Sequence, residues 1–288
     1  MALISKILFP VDFSTSSIAM AAYVKRAAAI LGARVSLVHV VNPGSYSGLE
    51  LYVRPLSEVE DEHLSIGRER LDSFLTEEFS AAECSRIVRF GDPATEIAQA
   101  AREGAFDLIL MPTHAGKFRQ MLLGSTTAKV INDSDCPVLT STHAETIAPR
   151  PLQHREWLCA VGLSANSERV LRFAARGASQ AGARLTIIHA VQGVDPESSL
   201  VLDLKKQVFL AERKEASRRI AELQQRVGMD APVRIEVGPL KEALLQAALQ
   251  SDADALIIGR SPQPGAQGRL RDLTYAMVRD SPFPVVSV

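Results

Sequence analysis

Short apolar runs alternate with amphipathic stretches along the whole chain. Ile4 to Phe9 is an apolar run suited to a strand covered on both faces. The stretch after it predicts a helix capped by Ser14, with Ile18, Ala22, Val24 and Ala28 as its apolar face and Gly32 as its stop. Val35 to Val41 predicts a second strand. A loop containing Gly, Ser, Pro and Tyr fills 42–56, and a long polar-faced helix is expected over 57–80. A strand at 85–90, a helix at 94–103, a strand at 107–111, a helix at 125–133 and a strand at 137–141 complete this half. The same alternation starts again at Trp157 and ends with Pro284 to Val288. Alternating strand and helix units imply an α/β fold with a parallel sheet and helices on both faces.

The two halves repeat one another. LGARVSLVHVV at 31–41 aligns with AGARLTIIHAV at 181–191, an offset of 150. Gly91-Asp92-Pro93, Gln99-Ala100-Ala101 and Asp107-Leu108-Ile109-Leu110 are answered by Gly238-Pro239, Gln246-Ala247-Ala248 and Asp254-Ala255-Leu256-Ile257, an offset of 147. Asp133-Ser134 and Pro137-Val138 return as Asp280-Ser281 and Pro284-Val285. Three matches in one order, at nearly one offset, indicate a duplication. Residues 142–155 carry Pro149, Pro151, His143 and His154 with little periodicity and predict a linker, giving domains over 1–142 and 153–288. The fifth strands, Pro137–Ser141 and Pro284–Val288, are short and apolar and are expected at sheet edges, where unpaired backbone groups invite pairing.

Composition removes several classes of function. Lys and Arg number 32 against 33 Asp and Glu, for a net charge of -1. Nucleic acid is therefore not an expected partner, since phosphate binding favours a basic surplus. No run approaches the ~20 apolar residues of a membrane span. The start of the chain lacks a basic region followed by an apolar one, so a cytoplasmic location is expected. The three cysteines, Cys84, Cys136 and Cys159, are an odd set without CxxC spacing and read as reduced, small hydrophobes.

Ligands of open α/β sheets sit at the carboxyl ends of the strands. After strand 1 the chain reads Pro10-Val11-Asp12-Phe13-Ser14, with neither the GxGxxG of a dinucleotide fold nor the GxxxxGK[ST] of a P-loop. Asp12 suits either a ribose or metal-bound phosphate, or a brace for the first helix. After strand 4 come Met111-Pro112-Thr113-His114 and, ten residues beyond His114, Gly124-Ser125-Thr126-Thr127 at the start of a helix. Free N–H groups, the helix dipole and three hydroxyls suit a phosphate, while the same residues also make an ordinary N-cap. His39 and His189 hold one place in the two copies, which points to a shared structural role. His114 is the one candidate acid or base, and no His/Cys cluster suggests a metal site.

Each half resembles a universal stress protein domain. Nucleotide-binding members of that family carry Gly-x2-Gly-x9-Gly-(Ser/Thr) between strand 4 and helix 4, with an Asp after strand 1. This sequence matches at Asp12, at the His39-Val40 strand end, at Met111, at Thr113-His114 and at Gly124-Ser125. The resemblance spans nearly the whole chain. It implies two tandem doubly wound domains, each with a five-stranded parallel sheet of order 3-2-1-4-5. It places adenine near Val40 and Met111, ribose near Asp12, and phosphates on Gly124, Ser125 and Thr126, with Pro10, Thr113 and His114 completing the site. ATP is the cofactor it implies, with Mg2+ accompanying the phosphates. It also implies that the two fifth strands meet as an internal pseudo-dimer, with a homodimer as a further assembly.

Departures from the pattern bear on function. Pro112 and Ala115 stand where the first two motif glycines belong, and eight residues rather than nine separate Ala115 from Gly124. Proline has no N–H to donate. In the second half Gly162 replaces Asp12, Gly259-Arg260-Ser261-Pro262 keeps only the first glycine, and Arg271-Asp272-Leu273 replaces Gly124-Ser125. Arg260, Arg269 and Arg271 suit either some other anion or, more commonly, a solvated basic face, and no ATP is expected. The expected function is a regulatory or protective stress-response protein, not an enzyme, with a single ATP site in the first domain. The alternative is a nucleotide-independent scaffold acting through protein partners; a slow ATP hydrolase would rest on His114 alone.

Overall fold

The computed structural model describes residues 2–45, 55–113, 123–141, 155–191, 202–260 and 272–288. It divides into two compact units, Met1–Leu152 and Gln153–Val288. The first contains β1 (Lys6–Pro10), α1 (Thr15–Leu31), β2 (Arg34–Val41), a 3-10 turn at Pro43–Ser45, α2 (Leu56–Ser73), β3 (Ser85–Phe90), α3 (Pro93–Glu103), β4 (Leu108–Pro112), α4 (Ser125–Asp133) and β5 (Val138–Ser141). Its strands are parallel and ordered β3-β2-β1-β4-β5. The second contains β6 (Glu156–Ala160), α5 (Ser167–Ala181), β7 (Arg184–Val191), α6 (Leu202–Val227), β8 (Val233–Val237), α7 (Leu240–Gln250), β9 (Ala255–Ile258), α8 (Asp272–Asp280) and β10 (Val285–Ser287). Its order is β8-β7-β6-β9-β10, again parallel. Each unit thus has the expected five-stranded sheet of order 3-2-1-4-5.

The central strands are apolar on both faces because both faces are covered: Ile7, Leu8, Phe9, Ile109 and Leu110 are fully buried, as are Leu158, Cys159, Leu256 and Ile257 in the second unit. The repeated aspartates pin the opposite, amino-terminal ends of these strands. Asp107 Oδ2 accepts from the backbone N–H groups of Ser5 (2.7 Å) and Lys6 (3.0 Å). Asp254 Oδ2 accepts in the same way from Arg155 (2.6 Å) and Glu156 (2.9 Å). Gly32 and Gly182 end α1 and α5 in the left-handed region, at φ 60° and 67°. Gly67 lets α2 lie close on the sheet, since a Cβ there would stand 3.0 Å from the Val41 side chain.

Two expectations need correction. The buried stripe of α1 is Met20, Val24, Ala27, Ala28 and Leu31, whereas Ile18 is 51% exposed and Ala22 is exposed as well. Ser16 and Ser17 take the buried positions of the first turn, so the stripe begins two residues later than Ile18 suggests. The second helix stops at Ser73 rather than near 80, with Leu75 at φ 53°. Arg86 of β3 ties this end down by donating to the carbonyls of Leu71, Phe74 and Phe79. Phe79 then turns back to meet Phe9 edge-on at 6.2 Å.

Candidate functional site

Adjacent strand ends of the first unit stop at one level. Pro10 pairs with Val38 and Leu8 with Ile109, so Asp12, Val40 and Met111 emerge side by side at the carboxyl edge of β1, β2 and β4. Pro10 and Met111 are buried and form the floor; Val40 is half-buried and Asp12 exposed. The turn after β1 is tightly held. Val11 donates to the Val38 carbonyl (2.9 Å), while its own carbonyl meets His39 Nδ1 at 2.9 Å. A carbonyl only accepts, so the His39 proton resides on Nδ1. Burial, aided by nearby Arg70, lowers the pKa of His39 below its ordinary value and keeps the ring neutral.

Asp12 does brace the first helix. Its Oδ1 accepts from Ser14 N (3.0 Å) and Ser17 Oγ (2.7 Å), while Ser14 Oγ caps α1 through Ser17 N (3.3 Å). Oδ2 takes no hydrogen bond among the described residues, so one carboxylate oxygen is bound locally and the other faces outward. Phe13 beside it adopts φ 62°, a left-handed conformation that costs a bulky residue about 1–2 kcal/mol. Its ring packs on His39 (4.3 Å) and Phe74 (5.1 Å), with the Arg70 guanidinium 4.2 Å above it. Sequence reading missed this cluster, although Leu163 at φ 52° marks the same turn in the second copy.

The other wall is the start of α4. Its N-cap is Gly124, which provides no side chain, and no side-chain cap bond forms. The first-turn N–H groups have no acceptor within the helix and, among the described residues, are open to an anion, with the exposed Ser125 and half-buried Thr126 hydroxyls beside them. Gly124 N–H itself is committed to the Thr113 carbonyl at 2.9 Å. Thr113 is buried and its hydroxyl donates to the Ser141 carbonyl (3.2 Å), while Thr127 Oγ1 donates to the Pro112 carbonyl (3.0 Å). Thr113 and Thr127 are therefore pins of the loop ends. His114, Ala115, Gly116, Lys117 and Arg119 lie outside the described residues.

At the corresponding edge of the second unit, His189 Nδ1 meets the Val161 carbonyl at 2.7 Å and Val161 donates to Ile188 (2.9 Å). Gly162 supplies no carboxylate, and the Ser164 N–H turns instead to Ser167 Oγ (2.9 Å). Arg260 is not solvated as expected: it is 4% exposed. Its backbone is fastened to the sheet end, donating to Val288 O and accepting from Asn166 Nδ2, both at 2.9 Å. Arg269 and Arg271 lie outside the described residues. Cys84, Cys136 and Cys159 are free thiols, and no metal-ligating cluster occurs among the described residues. No helix among them is long and apolar enough to cross a membrane.

A family model, the universal stress protein family, matches residues 4–141 and again 155–288. The chain belongs to the universal stress protein family. Its tandem arrangement is the duplication seen in the sequence. Universal stress protein MJ0577 of Methanocaldococcus jannaschii is 27% identical over 150 residues, covering 46% of the chain and 92% of that protein. Universal stress protein MJ0531 of the same organism is 32% identical over 145 residues, covering 48% and 81%. The crystal structure of a universal stress protein from Archaeoglobus fulgidus DSM 4304 superposes with a TM-score of 0.67 at 24% identity, covering 98% of this chain and 97% of that one. That likeness establishes a shared fold over both copies.

Proposed function

We infer that this universal stress protein is a regulatory or protective stress-response protein that holds one adenine nucleotide, ATP, in its first unit. The observation that carries the reading is the uncapped start of α4 beside the level strand ends of β1, β2 and β4. Ser125, Thr126 and the open N–H groups would take the phosphates, with Mg2+ sharing their charge. Asp12 Oδ2 would take the ribose hydroxyls, and Val40 and Met111 would flank adenine over the Pro10 floor. Bound ATP would supply a change of occupancy that other proteins can read. The reading is non-catalytic because the sequence offers His114 as its one candidate acid or base, with no carboxylate or nucleophile at informative spacing beside it.

One observation favours the scaffold as a second reading. The Gly124 N–H is already engaged by Thr113, and Pro112 has no N–H to give, so two donors of the family pattern are missing. Mass spectrometry of small molecules released from freshly purified, denatured protein, followed by calorimetry with ATP, separates the two. The nucleotide reading expects one adenine site per chain. Two sites, or none, would overturn it, and none would leave the scaffold.

A further inference from the structure

β8 ends the sheet of the second unit: it pairs with β7 and, among the described residues, with no strand on its other side. Its register decides which backbone groups point that way. Ile187 N–H donates to the Pro232 carbonyl (2.8 Å) and Gly238 N–H to the Val191 carbonyl (3.1 Å). Alternate residues of a parallel outer strand turn inward, so Arg234 and Glu236 direct their N–H and carbonyl groups to β7. Val233, Ile235 and Val237 turn theirs outward. Arg234 reaches Gln250 and Ser251 at the end of α7, both at 2.8 Å, and Glu236 on its own strand at 2.7 Å. Arg234 and Glu236 therefore occupy the α7 face, and Val233, Ile235 and Val237 the opposite one. Val233 is 39% exposed and Val237 51%.

We propose that β8 is a self-association edge, on which a second copy of this chain pairs antiparallel about a two-fold axis at Ile235. The segment is complementary to itself in this register. Ile235 meets its own copy and Val233 meets Val237 of the second copy, so every outward N–H finds an outward carbonyl. The exposed valines cover one another. On the α7 face Arg234 stands opposite Glu236 of the second copy, charges of opposite sign at direct cross-strand positions. Pro232 and Pro239 bracket the segment and lack N–H groups, so the ladder cannot lengthen, and the two-fold gives a closed pair rather than a filament. The outer strand of the first unit, β3, carries Arg86 and Arg89 and no acid, and has no such match to itself.

The test is sedimentation equilibrium of the full chain. With 5 residues in the strand the interface is of the small class, and a Kd of about 10 μM is expected. Arg234→Glu and Glu236→Arg each set like charges opposite one another at both symmetry-related places and should weaken association at least about tenfold. An equimolar mixture of the two variants restores opposite charges across the axis and should recover the wild-type affinity. These side chains are 33% and 29% exposed, and thermal unfolding checks that both variants fold. Should Arg234→Glu fail to fold, Glu236→Arg decides together with a cross-link. Ile235→Cys, made with Cys136→Ser, puts a thiol opposite its own copy at a Cα spacing of about 5.5 Å, which suits a disulfide. Mild oxidation should join the two copies there, and should not join them in Val88→Cys on β3 with the same Cys136→Ser change. A chain that stays monomeric up to about 500 μM, a dimer that neither charge variant weakens, a mixture of folded variants that does not re-associate, or no cross-link at Ile235→Cys each overturns the proposal.

Discussion

Gly124→Asp should abolish nucleotide binding while making the protein more stable, two effects of opposite sign from one substitution. Gly124 is the N-cap of α4, at φ −57° and ψ 137°, a conformation that aspartate adopts without strain. An aspartate there accepts hydrogen bonds from the open first-turn N–H groups and places a negative charge at the positive end of the helix dipole. The cap improves by a few tenths of a kcal/mol and the charge adds about 0.3–1 kcal/mol. For a domain of this size that raises Tm by about 1–4 °C. The same carboxylate removes phosphate donors worth about 1.5–3 kcal/mol each. It also repels phosphate with about 4 kcal/mol at 4 Å in a surface-like dielectric, less after screening. A micromolar site, about −8 kcal/mol, loses more than half of its binding energy and falls beyond the millimolar range. Calorimetry with ATP measures the first effect and thermal unfolding without ATP the second. Leu273→Asp, at the start of α8, should leave ATP binding unchanged. ATP affinity within about tenfold of wild type in Gly124→Asp, or a lower Tm in that variant, would refute the reasoning.

Other expectations follow from burial and charge. Burial pushes the Cys159 thiol up to about 12 and raises Cys84 as well, while Cys136 is partly exposed. A disulfide reagent should therefore modify Cys136 first in the native protein and reach all three thiols only in denaturant. His39 is held neutral by burial, so the unfolded chain takes up its proton first as pH falls through the ordinary value of 6.5. Native stability should decline from that point until the lower native pKa is passed, and His39→Gln should flatten this slope between about pH 7 and pH 5 in urea titrations. Asp280 is depressed to about 2 by its bond to Arg279, with Lys241 of α7 adding a second partner at 2.6 Å. Its contribution is complete above the unfolded carboxylate pKa and disappears as pH drops towards about 2. Asp280→Asn should cost about 1 kcal/mol at neutral pH and little in acid.

The strands were legible because their burial on both faces leaves apolar runs too dense to misread, as at Ile7-Leu8-Phe9 and Leu108-Ile109-Leu110. The phase of α1 was not read correctly from one copy, since Ile18 and Ala22 look like core. The second copy has Glu168 and Arg172 at those places, and comparing the repeats would have moved both to the solvent side. The stop of α2 carries no Gly or Pro near Ser73; it depends on Arg86, which belongs to a later strand, so no local pattern announces it. At the site, single positions such as Asp12 were recognisable, but their hydrogen-bond commitments were not. Whether the Gly124 N–H is open or taken is decided by Thr113, whose carbonyl direction no residue type encodes. Arg260 misled for a similar reason: charge suggests solvent, and only the backbone ties to Val288 and Asn166 reveal its burial.

The histidine-to-carbonyl bond after the first strand of each unit has an implication for how such proteins diversify. His39 with Val11, and His189 with Val161, hold the same backbone path whether the next residue is Asp12 or Gly162 and whether Phe13 or Leu163 occupies the left-handed position. Where the carboxylate is missing, Ser167 takes up the Ser164 N–H that Asp12 would have held. The position after that valine is thereby uncoupled from the residues that shape the turn. After duplication, one copy can exchange its recognition chemistry by a single codon change while its scaffold, and so its folding, stays constant. Position 162 is in that sense a socket, and a designer seeking a new specificity in this fold can vary it without rebuilding the turn that holds it.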